Sequence, residues 1–369
     1  MPAKARKDIV NHEEIGLYHC FSRCVRRAFL TGVDRRTGKD FSYRLEWFDI
    51  RMQQLAAVFM IEIVAYAFLD NHFHSMLRNR PDLAKKLSDR EVARRSLMIS
   101  PNWMPDEAQL AEPDEEAIQA AMQDKERIRK WRERLGSLSW FMKCLKEPIA
   151  RRANLEDEVT GCFWESRFRS TRLLDAMAAL ACSMYVDLNE VRAEKSDSPD
   201  TSQNSSIGQR IAAWVDARKQ KYQAFDKLAW ETSVSDPREP APAWVSPVNV
   251  ASDNGTVSGT MTEESPKPHG KRASDSGFLP MTIEQYMLLV DWAGRCEQEG
   301  KREAIPKQLA PIMDRLIANY DAFLLAVKDF GKLFRSFCGS PESLLAHGEK
   351  MGLKKIHGIS MARKICDRK

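Results

Sequence analysis

Two histidines separated by one residue are the first feature of this sequence that could do chemistry. His72 and His74 lie in a segment with strand character, and alternate residues of a strand share a face, so both imidazoles are expected on one side. Two neutral imidazoles on one face can bind a divalent ion and leave positions open for substrate oxygens. Met76 stands where a triple-histidine nucleotidyl hydrolase would need another histidine, which argues against that class. A pair with this spacing also occurs by chance in many proteins, so a structural role stays open.

A tyrosine next to the apolar stripe of a predicted helix is the second such feature. Tyr185 lies beside the stripe, and Asn189, four residues further on, shares its helix face, with Arg192 following. A phenol can attack a phosphodiester when the phosphate charge is neutralised and the geometry is in line. The amide oxygen of Asn189 is a ligand for a hard cation, and Arg192 could contact a phosphate. The alternative is that Tyr185 is an ordinary border residue of a helix with a core stripe of Leu173, Met177, Leu180, Met184, Leu188 and Val191.

A short segment that interleaves aromatic and basic residues precedes this helix. Base stacking on aromatic rings, combined with positive charge on phosphates, is how proteins hold single nucleic-acid strands. The opposite interpretation is a buried aromatic strand with solvated arginines, and the sequence leaves both open. The residues concerned are Phe163, Trp164, Arg167, Phe168, Arg169 and Arg172.

The elements that must position these residues predict a mixed α and β fold. Residues 16–24 and 61–77 have strand character, and the second segment divides at Asp70-Asn71, a turn signal. Between them, apolar residues of 41–59 recur at steps of three and four, which predicts a helix. Strand, helix, strand and strand in this order begin an α+β sandwich. Further helices are predicted within 82–135, where prolines interrupt the pattern, and at 137–154, 173–193 and 207–230.

Composition shifts along the chain predict its domain organisation. Residues 1–193 contain all the features above and are predicted to form the catalytic domain, followed by a loop and helix at 194–231. Residues 232–277 are rich in Ser, Pro, Gly and Asp and cannot bury enough surface to offset chain entropy, so a flexible linker is predicted. Residues 278–369 regain a helical pattern, which predicts a small C-terminal helical domain.

The overall composition bounds the class of protein. Hydrophobic residues make up 43% of the 369 residues, enough for a sizeable core, and a formal charge of +5 fits a polyanionic partner without requiring one. The longest apolar run, 56–69, is interrupted by Glu62 and is too short to cross a bilayer, so no membrane contact is expected. Residues 1–10 do not form a signal peptide, because no apolar stretch follows their charges. The eight scattered cysteines include no CxxC pair, which favours reduced thiols in a cytoplasm.

Four segments, taken in order, resemble one known family. They read GLYHCFSRCVRR, DNHFHSMLR, GCFWESRFRS and MYVDLNEVRA. Together they resemble the HUH single-tyrosine transposases, and more closely the REP-associated tyrosine transposases. The HUH motif (His, bulky hydrophobic, His) matches His72-Phe73-His74, and a family segment like YVDLNPVRA, which carries the catalytic tyrosine, matches the chain from Tyr185 onward. The resemblance spans roughly half of the chain, from about residue 14 to residue 193.

The resemblance implies a fold, a cofactor and a substrate. The fold would be a ferredoxin-like α+β sandwich with a central antiparallel sheet, followed here by a C-terminal helical extension seen in some members. The cofactor would be Mg²⁺ or Mn²⁺, and the substrate single-stranded DNA next to a palindromic hairpin. Cleavage would give a 5′-phosphotyrosine and a free 3′-OH, and the reverse step would transfer a strand. Many relatives are dimers, in some of which the helix that carries the tyrosine serves the other subunit, so a homodimer is expected. A DNA substrate implies a cytoplasmic, nucleoid-associated location.

The resemblance also assigns roles to individual residues. Tyr185 would be the nucleophile, and His72, His74 and Asn189 the metal ligands. This chain has Glu190 where the family usually has Pro, so the third ligand is open between Asn189 and Glu190. His19, on the first strand, is interpreted as a packed histidine that could border the site. The residues expected to contact DNA are Arg23, Trp164, Arg167, Arg169 and Arg192.

Two other functions are compatible with the same residues. A DNA-binding regulator of palindromic repeats that lacks catalysis would bind without cleaving, although a pure binder needs neither the histidines nor the tyrosine. A metal-dependent nuclease that activates water, with Tyr185 in a structural role, would turn over repeatedly and form no protein–DNA adduct.

Overall fold

Five strands form a single sheet in the part of the chain that is described by the computed structural model, namely residues 8–25, 29–99, 110–226, 242–250, 266, 270–299, 313 and 316–366. The sheet order is β2-β3-β1-β4-β5, with antiparallel pairing throughout except for the parallel pair β4 and β5. The α+β class is thus confirmed, as is the division of 61–77 into two strands. The strands are β1 (Gly16–Arg23), β2 (Ile61–Phe68), β3 (His72–Asn79), β4 (Arg169–Leu173) and β5 (Phe337–Cys338).

Helices connect the strands and cover both faces of the sheet. Within the described residues, no helix combines the length and apolar character needed to cross a membrane. A short 3-10 turn also occurs at Pro199–Thr201. The helices are α1 (Arg44–Val58), α2 (Pro81–Lys86), α3 (Asp89–Met98), α4 (Glu115–Gln123), α5 (Lys125–Leu135), α6 (Leu138–Glu156), α7 (Ala176–Asp187), α8 (Asn189–Arg192), α9 (Ser206–Asp226), α10 (Ile283–Glu299), α11 (Tyr320–Lys328), α12 (Phe330–Leu333), α13 (Pro341–Lys350) and α14 (Ile359–Cys366).

The two faces of the sheet belong to two different apolar cores. Tyr18 and Cys20 of β1 and Phe73 of β3 share one core with α1 and α6. Leu17 and Met76 point to the opposite face and share the second core with α7. Because side chains alternate along a strand, this division fixes which residues of β1 and β3 lie on the α7 side.

The helix predicted over 173–193 is shorter than expected and is broken. Leu173 still belongs to β4, where it pairs with Leu17 of β1, and α7 begins only after Asp175. The Asp175 side chain caps the helix by accepting a hydrogen bond from the backbone N–H of Ala178 at 3.0 Å. Leu188 then separates α7 from α8. The apolar periodicity therefore marked a helix that is buried on almost every side, and it did not mark the helix ends.

The described parts of the predicted linker, residues 242–250 and 270–277, pack against the sheet. The backbone N–H of Ser246 donates to the carbonyl of Ile63 at 2.9 Å, which occupies part of the outer edge of β2. The Trp244 ring stacks on Tyr66 with 5.1 Å between centroids. The linker prediction fails at these positions because a few buried apolar residues and backbone hydrogen bonds suffice to dock a polar segment. The remaining residues of 232–277 lie outside the described part of the chain, except residue 266.

The described C-terminal residues share a core with α7, the tyrosine helix that carries Tyr185, instead of forming a separate domain. Apolar residues of α10 and α11 pack in the same core as α7. β5 also extends the sheet, with the backbone N–H of Leu174 donating to the carbonyl of Cys338 at 2.9 Å. The predicted boundary at residue 278 therefore does not separate two cores in the described residues, because α7 is too apolar to leave one side in water.

A buried charge cluster attaches the docked segment to the sheet. The Glu62 carboxylate of β2 accepts hydrogen bonds from Arg78, from Arg80 at 2.8 Å and from the hydroxyl of Ser274. Arg78 also donates to the carbonyl of Gly277 at 2.9 Å. Glu62, Arg78 and Arg80 are almost completely buried, and the Glu62 carboxylate pairs with both guanidinium groups, of which Arg80 also pairs with Asp82.

We expect Glu62→Gln to destabilise the protein by about 3 kcal/mol, because one partner of a buried ion cluster is removed while the arginines stay buried. Arg80 keeps Asp82 as a second partner, which limits the loss. Urea unfolding followed by circular dichroism measures the change. Glu126→Gln is the matched control, because it removes the same charge from an exposed pair with Arg129 and should leave the unfolding midpoint unchanged. Equal unfolding midpoints for the two variants would contradict the assigned role of Glu62.

Candidate active site

The pairing of β1 with β3 brings three histidines to the α7 side of the sheet. Phe21 lies opposite His74, and His19 lies opposite Met76, so His19 and His74 are diagonal neighbours on one face. Their rings are stacked with 5.2 Å between centroids, and Nε2 of His19 lies 2.9 Å from Nδ1 of His74. The interpretation of His19 as a packed histidine is therefore incomplete, since it hydrogen-bonds one of the predicted metal ligands.

His72 lies at the end of β3, half-buried, and is oriented by its neighbour. Its Nδ1 lies 2.7 Å from Oδ1 of Asn71. An amide oxygen only accepts hydrogen bonds, so His72 donates from Nδ1 and keeps its lone pair on Nε2. The rings of His72 and His74 are 5.2 Å apart. The prediction that both point to one face of the strand is confirmed by their shared contact with Phe21, at 5.5 and 4.9 Å between ring centroids.

All three imidazoles are neutral at physiological pH. Burial lowers the pKa of His19 to about 4, and burial followed by the charge of Arg23 lowers the pKa of His72 to about 4. Burial and the neighbouring histidines bring the pKa of His74 well below its ordinary value. A neutral imidazole has a lone pair to share, and it is the form that binds a metal ion.

Tyr185 packs its ring between the histidines and the C-terminal part of the chain. Its ring meets the rings of His19 and His74 edge to face, at 5.7 and 5.2 Å between centroids. On its other side Phe330 stacks at 5.5 Å. A methyl group added at Gly331 would lie 3.6 Å from the phenolic oxygen, so α12 also closes over the hydroxyl. The residue predicted as a nucleophile is thus adjacent to the histidines but partly covered.

Electrostatics at Tyr185 keep the phenol protonated. Burial raises the pKa of its hydroxyl, and the Arg192 guanidinium, 5.1 Å from the ring centre, opposes this rise. Arg192 donates two hydrogen bonds of 3.0 Å to the carboxylate of Glu297 on α10. The arginine predicted to contact a phosphate is therefore held by a carboxylate, and it covers the tyrosine ring instead.

The two residues considered for the third metal ligand face different neighbours. The amide nitrogen of Asn189 donates to the backbone carbonyl of Tyr185 at 2.7 Å, which satisfies an unpaired carbonyl at the end of α7. Its Oδ1 is the ligand atom that remains. The Glu190 carboxylate instead accepts from the backbone N–H of Asn204 at 3.1 Å, and burial raises its pKa. The Asn189 side chain is thus bound to the backbone of Tyr185, whereas the Glu190 carboxylate is bound to the segment that precedes α9.

These donors fit a divalent ion only in part. No group of three or more His, Cys, Asp or Glu residues in the described ranges is arranged to hold a metal. His72 keeps its Nε2 lone pair, and His74 keeps its own if its Nδ1 donates to His19. Two imidazole nitrogens with one amide oxygen would leave positions open for substrate, as in a catalytic site rather than a closed structural one.

Of the residues expected to contact DNA, Arg23 and Arg169 lie beside the histidines. Arg169 of β4 pairs with Phe21, and Arg23 of β1 pairs with His72. Both arginines are exposed, and their guanidinium carbons lie 6.0 and 5.7 Å from the Phe21 ring centre. Two exposed cations therefore border an aromatic ring at the edge of the site, an arrangement suited to a phosphate and a base.

Trp164 lies away from this group, on the other face of the sheet. The Trp164 indole donates to the carbonyl of Lys146 at 3.0 Å, and its ring meets Phe73 edge to face. Phe73 points away from the histidines, so Trp164 packs on the far side of the sheet. This position agrees with the alternative interpretation of the segment, in which its aromatic residues are buried. Arg167 is exposed in the connection to β4.

Sequence patterns gave no signal for the contacts made by α12. Phe330 meets both Tyr185 and His19, yet it comes from a segment that was assigned to a separate domain. His19 could have been found from its alternation with Phe21 along β1, but the strand pairing that brings it to His74 depends on a partner more than fifty positions away.

Comparisons with known proteins yield one likeness. A scan against protein families and a search of curated proteins find no match. Among solved structures, the chain is similar to a REP-associated tyrosine transposase bound to a REP hairpin, with a TM-score of 0.33 and 11% identity over 57% of this chain and 86% of that one. A TM-score of this size does not establish a shared fold, so the function proposed below rests on the residues of the site.

We expect Phe330→Leu to increase the rate at which tetranitromethane nitrates Tyr185, because the substitution removes the ring that stacks on the phenol. Peptide mapping by mass spectrometry distinguishes Tyr185 from the six other tyrosines. Phe337→Leu is the control, because Phe337 packs in a separate small cluster with Leu344 and Ala362. If both variants are nitrated at the rate of the unsubstituted protein, α12 does not limit access to Tyr185.

Proposed function

We propose that this protein cleaves and rejoins single-stranded DNA through Tyr185, with Mg²⁺ or Mn²⁺ bound by His72 and His74. The observation that carries the proposal is the contact of the Tyr185 ring with His74, the inner member of a neutral histidine pair on one strand face. The order of the four sequence segments described above is the independent support. Neither alone specifies this chemistry, but a phenol beside a metal-binding pair is what a tyrosine transesterase requires.

The strand arrangement supports the ferredoxin-like sandwich that the motifs imply. The first four strands lie in the order β2-β3-β1-β4, and all neighbours are antiparallel. The two connections that cross the sheet contain α1 and α6, which pack in the same core. This is the βαββαβ pattern, with α7 added on the opposite face.

The histidines and Asn189 would hold the ion. His72 offers Nε2 because Asn71 binds its Nδ1, and His74 offers Nε2 in the tautomer whose Nδ1 donates to His19. Asn189 would add its amide oxygen. When bound, the ion neutralises and orients the scissile phosphate.

Tyr185 would then exchange one phosphate ester for another. Its phenolic oxygen forms a bond to phosphorus and loses its proton, while the bond from phosphorus to the 3′ oxygen breaks and that oxygen gains a proton. The product is a 5′-phosphotyrosine and a free 3′-OH, and attack by a 3′-OH reverses the step. Because the ester bond is conserved, rejoining needs no further energy source.

Arg23 and Arg169 are the residues best placed to hold the strand. Both are exposed beside Phe21 and lie on the face that carries the histidines. Arg167, exposed just before β4, would add positive charge to the segment that leads into this strand. Trp164 would act indirectly by fixing this segment, and Arg192 by holding the Tyr185 ring together with Glu297.

A second candidate function is a regulator that binds palindromic DNA without cutting it. The observation that favours it is the cover over the phenol, where Phe330 and Gly331 close the side opposite the histidines. In a regulator this cover would be permanent, whereas the transposase has to move α12 before a phosphate can reach the phenolic oxygen.

Covalent trapping is the direct test of the nucleophile. A labelled single strand that carries a palindromic hairpin is incubated with protein and Mn²⁺ or Mg²⁺, and adducts are resolved by denaturing electrophoresis. We expect an adduct with the unsubstituted protein and with Tyr43→Phe, which replaces an exposed tyrosine distant from Tyr185 in sequence. We expect none with Tyr185→Phe. An adduct with Tyr185→Phe would show that another group attacks. Repeated turnover without an adduct would indicate water as the nucleophile, and binding without cleavage would indicate the regulator.

Metal binding is tested separately from activity. We expect Mn²⁺ affinity, measured by electron paramagnetic resonance of the free ion, to fall strongly in His72→Gln and about tenfold in Asn71→Ala, which removes only the group that orients His72. His357→Gln, an exposed histidine outside the site, is the control and should bind as the unsubstituted protein does. Unchanged affinity in His72→Gln would remove the histidine pair from the proposed site.

A further inference from the structure

A concave pocket lies on the side of the sheet away from Tyr185. Its volume is about 430 Å³, within the range of about 300–1,000 Å³ typical of ligand pockets. The walls come from α1, α3, α5 and α6, which belong to the core on the face opposite the histidines. Neither the proposed chemistry nor the family motifs involve these helices. The residues that give the pocket its character are Arg127, Trp131, Arg134, Trp140, Lys143 and Arg151.

Two indole rings in this pocket are each covered by a cation. The guanidinium carbon of Arg127 lies 4.2 Å from the ring centre of Trp131, and that of Arg134 lies 4.1 Å from the ring centre of Trp140. The ammonium nitrogen of Lys143 also lies 4.8 Å from Trp140. Both indoles are half-buried, so they form part of the wall and still reach the opening.

Two guanidinium groups of this pocket, those of Arg127 and Arg134, lack an acidic partner among the described residues. Among the described residues, no carboxylate forms an ion pair with Arg127 or Arg134, and the single acidic wall residue, Glu147, lies 3.8 Å from Lys143. An arginine on the other side of α5 does have acidic partners. Arg129, two residues from Arg127, pairs with both Glu126 and Glu133 on the outer surface. The pocket side of the helix thus keeps its positive charge, while the outer side is neutralised.

Indole faces next to uncompensated guanidinium groups match one ligand chemistry in particular. A nucleotide combines an aromatic base, which stacks on an indole or a guanidinium plane, with a phosphate that takes the guanidinium hydrogen bonds. The volume admits a unit of this size. The pocket lies across the sheet from Tyr185, so a strand bound there is held at a point remote from the phosphodiester that is cut.

We propose that this pocket binds one nucleotide of the same single DNA strand that Tyr185 cleaves, through the indoles of Trp131 and Trp140 and the guanidinium groups of Arg127 and Arg134. The identity of the strand rests on the proposed function, whereas the pocket's chemistry stands on the contacts above. The site anchors the strand by stacking and charge, and it reads no base sequence.

The charge part is tested by the salt dependence of binding. Fluorescence anisotropy with labelled oligodeoxythymidine is measured over a salt series in the Tyr185→Phe background, where no covalent adduct of this tyrosine can contribute. Each lost phosphate contact lowers the magnitude of the slope of log affinity against log salt by roughly 0.7. A nucleotide within a strand is flanked by two phosphates, one for each guanidinium group, so Arg127→Gln with Arg134→Gln should lower the slope by about 1.4. Arg129→Gln with Lys130→Gln removes the same charge from the outer side of α5 and should leave the slope unchanged. Equal slopes for both pairs overturn the proposal.

The stacking part is tested with a second matched pair. Trp140→Leu should weaken oligodeoxythymidine binding by roughly tenfold, the size expected for one lost base stack. Trp214→Leu is the control, since this indole also has an arginine over its ring, Arg218 at 3.9 Å, but lies outside the pocket. Equal weakening of the two variants overturns the stacking role. Tight binding of free thymidine monophosphate, with displacement of the oligonucleotide, would overturn the strand assignment in favour of a free nucleotide.

The two proposals fail in different ways. If the pocket variants lose binding while the unsubstituted protein forms no adduct, the pocket stands and the transesterase does not. If the adduct forms normally and the pocket variants bind like their controls, the reverse holds.

Discussion

The antiparallel register between β1 and β3 is the constraint on which the candidate site depends. It places Phe21 opposite His74 and Arg23 opposite His72, and it brings His19 within hydrogen-bonding distance of His74. A slip of β1 by one residue would turn His19, Phe21 and Arg23 to the other face, into the core around Phe73 and away from His72 and His74. Both faces of the two strands are buried, so a slip would also place apolar side chains in a core that does not fit them. The stability of the sheet and the assembly of the site thus rest on the same hydrogen bonds.

Burial gives the site its electrical character. Three imidazoles and a phenol lie together in a largely apolar setting, and the pKa directions make all of them neutral near pH 7. Neutral ligands do not cancel the charge of a divalent cation, so a phosphate would meet that charge almost undiminished. The nearby arginines divide into two classes. Arg192 is neutralised by Glu297, whereas Arg23 and Arg169 face solvent at the edge of the site.

Local patterns in the sequence predicted the elements but not their long-range neighbours. The strand character of 61–77, the turn signal at Asp70-Asn71 and the apolar spacing of 41–59 predicted β2, β3 and α1, because each signal lies within a single element or turn. The shared face of His72 and His74 followed from strand geometry alone. The His19–His74 contact, the cover of Tyr185 by Phe330 and the docking of 242–250 were not predictable, since each joins segments with no periodic relation to one another. The side of the sheet on which Trp164 packs was not predictable for a related reason. Composition shows that a segment is aromatic and basic, but only strand pairing decides which face each ring takes.

The parallel pair of β4 and β5 has a consequence for how the chain is made. Leu173 pairs with Cys338, about 165 residues later, which at roughly 5–20 residues per second separates their synthesis by about ten to thirty seconds. During that interval the outer edge of β4 has no partner, and α7 lacks the C-terminal residues that complete its core. An unpaired edge can recruit a strand from another nascent chain, and the charged residues Arg169 and Arg172 on β4 oppose that association. The residues that cover Tyr185, Phe330 above all, are thus synthesised later than the three histidines and α7.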